Sequence, residues 1–400
     1  MSLIGLGNLI NYLMVRRRRK NNSSNWFIRP FVERGGSVHQ PDYVLLSVIL
    51  LLLFFGLFFL SSASSSLAFF RHGDTYRFVK QQIIHGLLPG IILFYAALRV
   101  DYRFYRKISL IFLILSFLFL GLVFIPSLTG GFGTAQSWVS LGSFTFQPSE
   151  FVKLFFILFL AGWFDRKGVD IKNLKASTIP FIIILLLVSV LLIKQPDIGT
   201  LSIILFTSFI IYYAAGAKLT HFIALLAAGA IAFVAMIKAA PYRMHRFIAW
   251  LNPEVDPQGI GWQIKQSLIA IGSGGWFGLG LGASRQKSYL PMPANDSIFA
   301  VIAEEIGFVF TVLFLVLFII LIFRGFKIIK EAPDNFAKLV VLGITAWIAI
   351  QIFINIAGMI QLAPLTGVPL PFISLGGTNL VITLVAMGIM ANISKYTTYK

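Results

Sequence analysis

One apolar run after another, each close to the length that crosses a bilayer, restricts this chain's fold more than any other feature. A hydrocarbon core about 30 Å thick needs roughly 20 helical residues to span it. Such runs predict an all-α, polytopic integral membrane protein. Ten spans are expected, at about 43–62, 79–98, 108–126, 148–164, 178–193, 198–214, 218–237, 298–323, 336–360 and 369–392. The turns around Lys194 and Leu362 join their neighbours tightly, as antiparallel hairpins. Charged residues make up 12% of the 400, against about 25% in soluble domains.

A formal net charge of +18 raises nucleic-acid binding as a class, and its distribution argues against it. Lys and Arg gather in alternate loops, 21 on one side of the ten spans and nine on the other. The positive-inside rule then places both termini in the cytoplasm and the 238–297 stretch outside the cytoplasmic membrane. Residues 1–42 form a basic tail in which Arg16-Arg17-Arg18-Arg19-Lys20 follows the short apolar stretch from Leu3 to Val15. A cleavable signal has the opposite order, so the tail is expected to touch anionic membrane lipid. There is no cysteine, hence no disulfide framework or thiolate metal site, and the five histidines have no metal-ligand spacing.

The long interruption at 238–297 is where the chemistry is expected. A loop of this length is usually functional or disordered, and Trp250, Trp262 and Trp276 with many apolar neighbours argue for order. Arg243 and Arg246, with Lys287 and Arg285 further on, could clamp a diphosphate; headgroup attraction at the interface is the plainer explanation. Gly272, Gly274, Gly275, Gly278, Gly280 and Gly282 permit close backbone approach, but no strand–helix unit surrounds them as a nucleotide fingerprint requires. Asn295-Asp296-Ser297 stands directly before a long span, where each residue could cap a helix. Glu304 and Glu305 follow one to two turns deeper, where they are functional candidates or partners of a basic residue on another span.

Two further clusters lie outside that loop. In Gln147-Pro148-Ser149-Glu150-Phe151-Val152-Lys153 the acid and base are three apart and share a helix face. They form either a structural ion pair or a substrate contact, and the residues alone weigh the two equally. In Lys194-Gln195-Pro196-Asp197-Ile198-Gly199-Thr200, Pro, Asp and Gly supply turn chemistry, while Lys194 is placed to meet an anionic headgroup.

Taken together, QPSEFVK (147–153), QPDIGT (195–200), YRMHRFIAWLNPEVDPQGIGWQIKQSL (242–268), GLGLGASRQKSYLP (278–291), NDSIFAVIAEEIG (295–307) and PLTGVPLPFISLGGT (364–378) resemble the SEDS proteins (shape, elongation, division and sporulation). This group contains FtsW, RodA and SpoVE. The resemblance runs from about Tyr43 to Tyr396, and SSAS at 61–64, AGAKL at 215–219 and PYRMHR at 241–246 look more like the division branch. It implies a ten-span peptidoglycan glycosyltransferase that polymerises lipid II on the outer face of the cytoplasmic membrane. By the family motif Asp296 is the essential acid, and Glu150 with Lys153 is the functional pair. Where the family often has Arg-Trp in the first outer loop, this chain reads Ala135-Gln136-Ser137-Trp138. Trp138 stays among the substrate-binding candidates, with Glu150, Lys153, Lys194, Arg243, Arg246 and Lys287.

The reaction so implied joins lipid II to an undecaprenyl-diphosphate-linked glycan. Asp296 would act as base, with cationic stabilisation of the leaving diphosphate. No cofactor is required; a divalent cation, Mg or Mn, could screen the diphosphate. A class B penicillin-binding protein and other divisome proteins are the implied partners. The division-type motifs point to septal wall synthesis, and three rivals remain: an elongation-type polymerase like RodA, a transporter that flips lipid II, and a scaffold for a membrane-bound transpeptidase. Broken helices with polar residues at mid-membrane would favour transport, whereas the polar motifs here gather at the outer ends of spans.

Overall fold

The structure, a computed structural model, describes residues 39–129, 137–142, 144–166, 171–238 and 240–397. The basic run at 16–20, and Ala135 with Gln136, lie outside the described residues. In chain order the helices are α1 (Tyr43–His72), α2 (Arg77–Arg99), α3 (Tyr102–Lys107), α4 (Ser109–Leu122), α5 (Pro148–Phe164), α6 (Leu174–Lys194) and α7 (Ile198–Ala214). They continue as α8 (Leu219–Lys238), α9 (Pro241–Leu251), α10 (Ile260–Ser273), α11 (Ile298–Lys330), α12 (Asn335–Met359) and α13 (Gly377–Ser394). Seven are long and apolar enough to cross a membrane by length and composition. The shorter α4, α5 and α7 occupy the remaining three of the ten expected positions.

The core of the bundle lies around α13, nearly all of which is buried. It packs along α2, where small residues let the backbones approach. A Cβ on Gly90 would lie 2.6 Å from Leu384 Cδ1, and one on Gly86 3.2 Å from Gly377 Cα. At the far end from the 238–297 segment, Asp42 caps α1 through Leu45 N–H at 3.0 Å and accepts from the Arg324 guanidinium of α11.

Three expectations need correction. Helix α1 runs ten residues past its expected end, because Ser64 is buried and Ser62 bonds Glu305, so the serine-rich turn faces protein. The turn around Leu362 is not a tight hairpin, since α12 ends at Met359 and α13 begins only at Gly377. Pro364, Pro369 and Pro371 keep the intervening segment out of a helix. That segment is buried in protein, with Leu370, Phe372 and Ile373 in the core, the condition under which irregular backbone is tolerated inside a bundle. The 238–297 stretch, finally, is not simply a loop. It contains α9 and α10, with α10 packed on α11 and α12. A short antiparallel hairpin, β1 (Val139–Leu141) and β2 (Phe144–Phe146), leads into α5.

The glycine-rich segment after α10 works by breaking α11. Gly307 has φ 74 and ψ −180 inside that helix, a region essentially closed to residues with a side chain. The freed groups bond across: Phe308 N–H donates to Gly275 O, Val309 N–H to Trp276 O, Leu279 N–H to Glu304 O and Gly280 N–H to Glu305 O. A Cβ on Gly307 would sit 2.2 Å from Gly278 N. Gly307→Ala should therefore lose at least roughly 1–3 kcal/mol from backbone strain alone, read as a lower melting temperature of the purified protein. An unchanged melting temperature would contradict this packing.

Candidate active site

Local sequence brings four segments together at the end of the bundle that carries α9 and α10. Pro148 starts α5 and leaves Gln147 at its mouth. Asp197 caps α7 by accepting from Thr200 N–H at 3.0 Å, which fixes the turn after Lys194. Helix α10 offers Gln263, and the proline-rich segment after α12 offers Thr366 and Gly367. These surround a cleft of about 260 Å³ that is also lined by Trp138, Arg246 and Asp296.

Asp296 sits two residues before α11, half-buried. Ser297, not Asp296, holds the N-cap position, and its side chain makes no capping bond, so helix capping does not account for the carboxylate. Gln263 Nε2 donates to Asp296 Oδ2 at 3.2 Å and to Ser297 Oγ at 3.0 Å. Ser297 Oγ donates in turn to Pro291 O at 3.2 Å. Burial pushes the Asp296 carboxyl above its ordinary value, while the Gln263 amide, backbone N–H groups and the Arg246 charge pull the other way. The folded protein therefore holds this proton more tightly than the unfolded chain. The stability so gained is complete below the unfolded pKa near 3.9 and is lost as pH rises through the folded value. Asp296→Asn should accordingly melt no lower than the parent at neutral pH, and any advantage should shrink on acidification. A variant that melts well below the parent at pH 7 would contradict the burial of this charge.

The second carboxylate in the cleft was missed as a site residue. Asp197 Oδ2 accepts from Ser149 Oγ at 2.9 Å and Gln147 Nε2 at 3.2 Å. The turn chemistry of its own hairpin hides these partners, which lie about fifty residues away. Among the described residues no three His, Asp or Glu side chains converge as an all-protein metal cage. Of the described residues, Asp197 and Asp296 are the two carboxylates that line the cleft.

Of the candidate residues, Trp138 and Arg246 share the cleft with Asp296; the other five do not line it. Glu150 and Lys153 are 2.9 Å apart with side chains 3% and 1% exposed, sealed by helices. Lys153 Nζ also donates to Gln351 Oε1 at 3.0 Å and lies 4.9 Å from the Trp347 ring centroid, and Asn379 Nδ2 donates to Glu150 Oε2 at 2.7 Å. Lys194 is exposed on the last turn of α6. Arg243 donates to Tyr242 OH, Met236 O and Ile193 O, tying α9 to the ends of α8 and α6. Lys287 donates to Gly282 O at 2.7 Å and pairs with Glu305 at 3.8 Å. It faces a different cavity, against the end of α1. Glu304 collects Ser284 Oγ at 2.5 Å and the Arg285 and Gln286 N–H groups, so it holds the glycine-rich loop and turns away from the cleft.

Comparison with known proteins places this architecture. Stage V sporulation protein E of Bacillus subtilis is 40% identical over 333 residues, covering 83% of this chain and 91% of that protein. A protein named probable peptidoglycan glycosyltransferase FtsW, from Trichlorobacter lovleyi, is 39% identical over 327 residues, covering 81% and 84%. Among solved structures, a chain from work described as "Structural coordination of polymerization and crosslinking by a peptidoglycan synthase complex" has a TM-score of 0.75 at 24% identity, over 88% of this chain and 97% of that one. The rod shape determining protein RodA of Thermus thermophilus has a TM-score of 0.66 at 24% identity, over 90% and 98%. At those identities the structures establish the fold. The profile described as "Cell cycle protein" matches residues 43–399, and the chain belongs to that FtsW, RodA and SpoVE family.

Proposed function

We propose that this protein is a peptidoglycan glycosyltransferase that polymerises lipid II at the outer face of the cytoplasmic membrane, for septal wall synthesis in division. The observation that carries the reading is the shared cleft: a half-buried carboxylate at Asp296 with Arg246 on its wall. The oxygen of an acceptor sugar 4-hydroxyl attacks the anomeric carbon of the growing chain, and its proton passes to Asp296. The bond to the diphosphate breaks, undecaprenyl diphosphate leaves with the electron pair, and the α-linkage becomes β-1,4. Arg246 stabilises the departing charge, and Trp138 offers a flat face to a sugar. Between α6, α7 and α8 an apolar cleft of about 340 Å³ ends at Ile193 and Met236, whose carbonyls Arg243 grips. It suits a polyprenyl chain. A class B penicillin-binding protein is the partner this reading implies, because the related synthase complex couples polymerisation to crosslinking.

Purified protein in liposomes with labelled lipid II tests the reading. Glycan ladders are expected; movement of label between leaflets without polymer would replace it with transport. Orientation has its own test, motivated by the 21-to-nine charge split. Ser288 and Lys175 are both exposed. A cysteine at Ser288 should react with an impermeant maleimide on intact spheroplasts, and one at Lys175 only after permeabilisation. The reverse pattern would put the cleft on the wrong side of the membrane.

A further inference from the structure

The side chains of Gln351 and Asn355 stand one turn apart on α12 and grip successive carbonyls of the irregular segment that follows it. Gln351 Nε2 donates to Pro369 O at 2.9 Å, and Asn355 Nδ2 donates to Val368 O at 2.8 Å. The same Asn355 nitrogen donates to Asp296 O at 2.9 Å. Both partners are carbonyl oxygens, which fixes the nitrogen end of the amide, and Asn355 is only 3% exposed. Its Oδ1 is buried with no hydrogen-bond partner among the described residues. The side chain thus acts wholly as a donor, and its one amide joins two walls of the cleft. On the other side of Gln351, Oε1 accepts from Lys153 Nζ and from Trp347 Nε1 at 2.7 Å.

We propose that Asn355 is a positioning residue for Asp296, and that Gln351 carries the buried Glu150–Lys153 pair's influence into the same clamp. The pair fixes Gln351, Gln351 fixes Pro369, and Asn355 ties the adjacent Val368 to the Asp296 main chain. The pair therefore acts on the cleft through main-chain position, without touching substrate. Removing the clamp frees the Thr366–Gly367 wall and lets the carboxylate drift from Gln263 and Arg246. A misplacement of about 1 Å can cost about 10²-fold in rate. This inference rests on the reading of Asp296 as the base, except for the part that concerns the wall itself.

Asn355→Leu in the full-length protein is the test, with Asn355→Ser, which keeps one donor, wherever the leucine variant does not fold. In folded variant, kcat for lipid II polymerisation should fall about 10–10²-fold with KM little changed, and the acid limb of the pH–rate profile should move. Gln351→Leu should do the same, and the double variant should lose no more than the worse single. A cysteine at Thr366 reports the wall independently of turnover, and Asn355→Leu should raise its maleimide labelling rate several-fold. An unmoved pH profile together with unchanged labelling would overturn the clamp. Normal polymerisation by Asp296→Asn would instead overturn the base assignment, leaving the labelling rate to decide whether Asn355 holds the wall.

Discussion

Replacing Asp296 with Asn should lower polymerisation by about 10²–10⁴-fold, the usual contribution of a general base, while folding and lipid II binding survive. Asn keeps the size of the side chain and an oxygen to accept from Gln263 Nε2, so the local network persists. What it loses is basicity. Because burial raises the Asp296 carboxyl, the acid limb of kcat/KM in the parent should lie above the ordinary aspartate range near 3.9. A folded Asn variant that makes glycan at the parent's rate would remove Asp296 from the chemistry, and Asp197, the other carboxylate of the cleft, would be the next to replace.

Reversing the charge of Glu150 or Lys153 alone should cost about 3–5 kcal/mol, the typical penalty for stranding one member of a buried pair. The readout is the yield of folded protein and its melting temperature. Exchanging the two restores opposite charges at a 2.9 Å pair and should recover folding. It should not recover polymerisation. A carboxylate at 153 would face Gln351 Oε1 and the negative face of the Trp347 ring, where the ammonium now sits, and would push Gln351 off Pro369 O. Lipid II binding should remain, since the pair is sealed from the cleft. Full polymerisation by the exchanged variant would contradict the coupling through Gln351.

The spans were legible because each is an apolar run of membrane length, and a bilayer accepts few structures for such a run. The end of the irregular stretch before α13 was misplaced because Leu370, Phe372 and Ile373 read as the start of a span. Pro364, Pro369 and Pro371 were the signal that could have corrected it. Asp296 was legible from its place before a long span and from the family motif, and Arg246 and Trp138 do share its cleft. Asp197 was missed because each residue of its turn has a sufficient local explanation. Lys287 was assigned to diphosphate because its partner Glu305 becomes a neighbour only through the break at Gly307, which periodicity does not foretell. Asn355 and Gln351 left no trace, being two amides within an apolar helix whose carbonyl partners at Asp296, Val368 and Pro369 lie far along the chain or in an irregular segment.

The most direct test of the Asp296 cleft as the place of sugar transfer is a structure of the full-length Asp296→Asn protein with lipid II bound. With lipid II in both substrate positions, the acceptor 4-hydroxyl should lie about 2.6–3.2 Å from the side chain at 296, with the diphosphate of the donor molecule against Arg246. Lipid II bound instead with its diphosphate at Lys287 and Arg71, beyond the Pro291–Pro293 stretch and with no sugar in the cleft, would contradict that assignment.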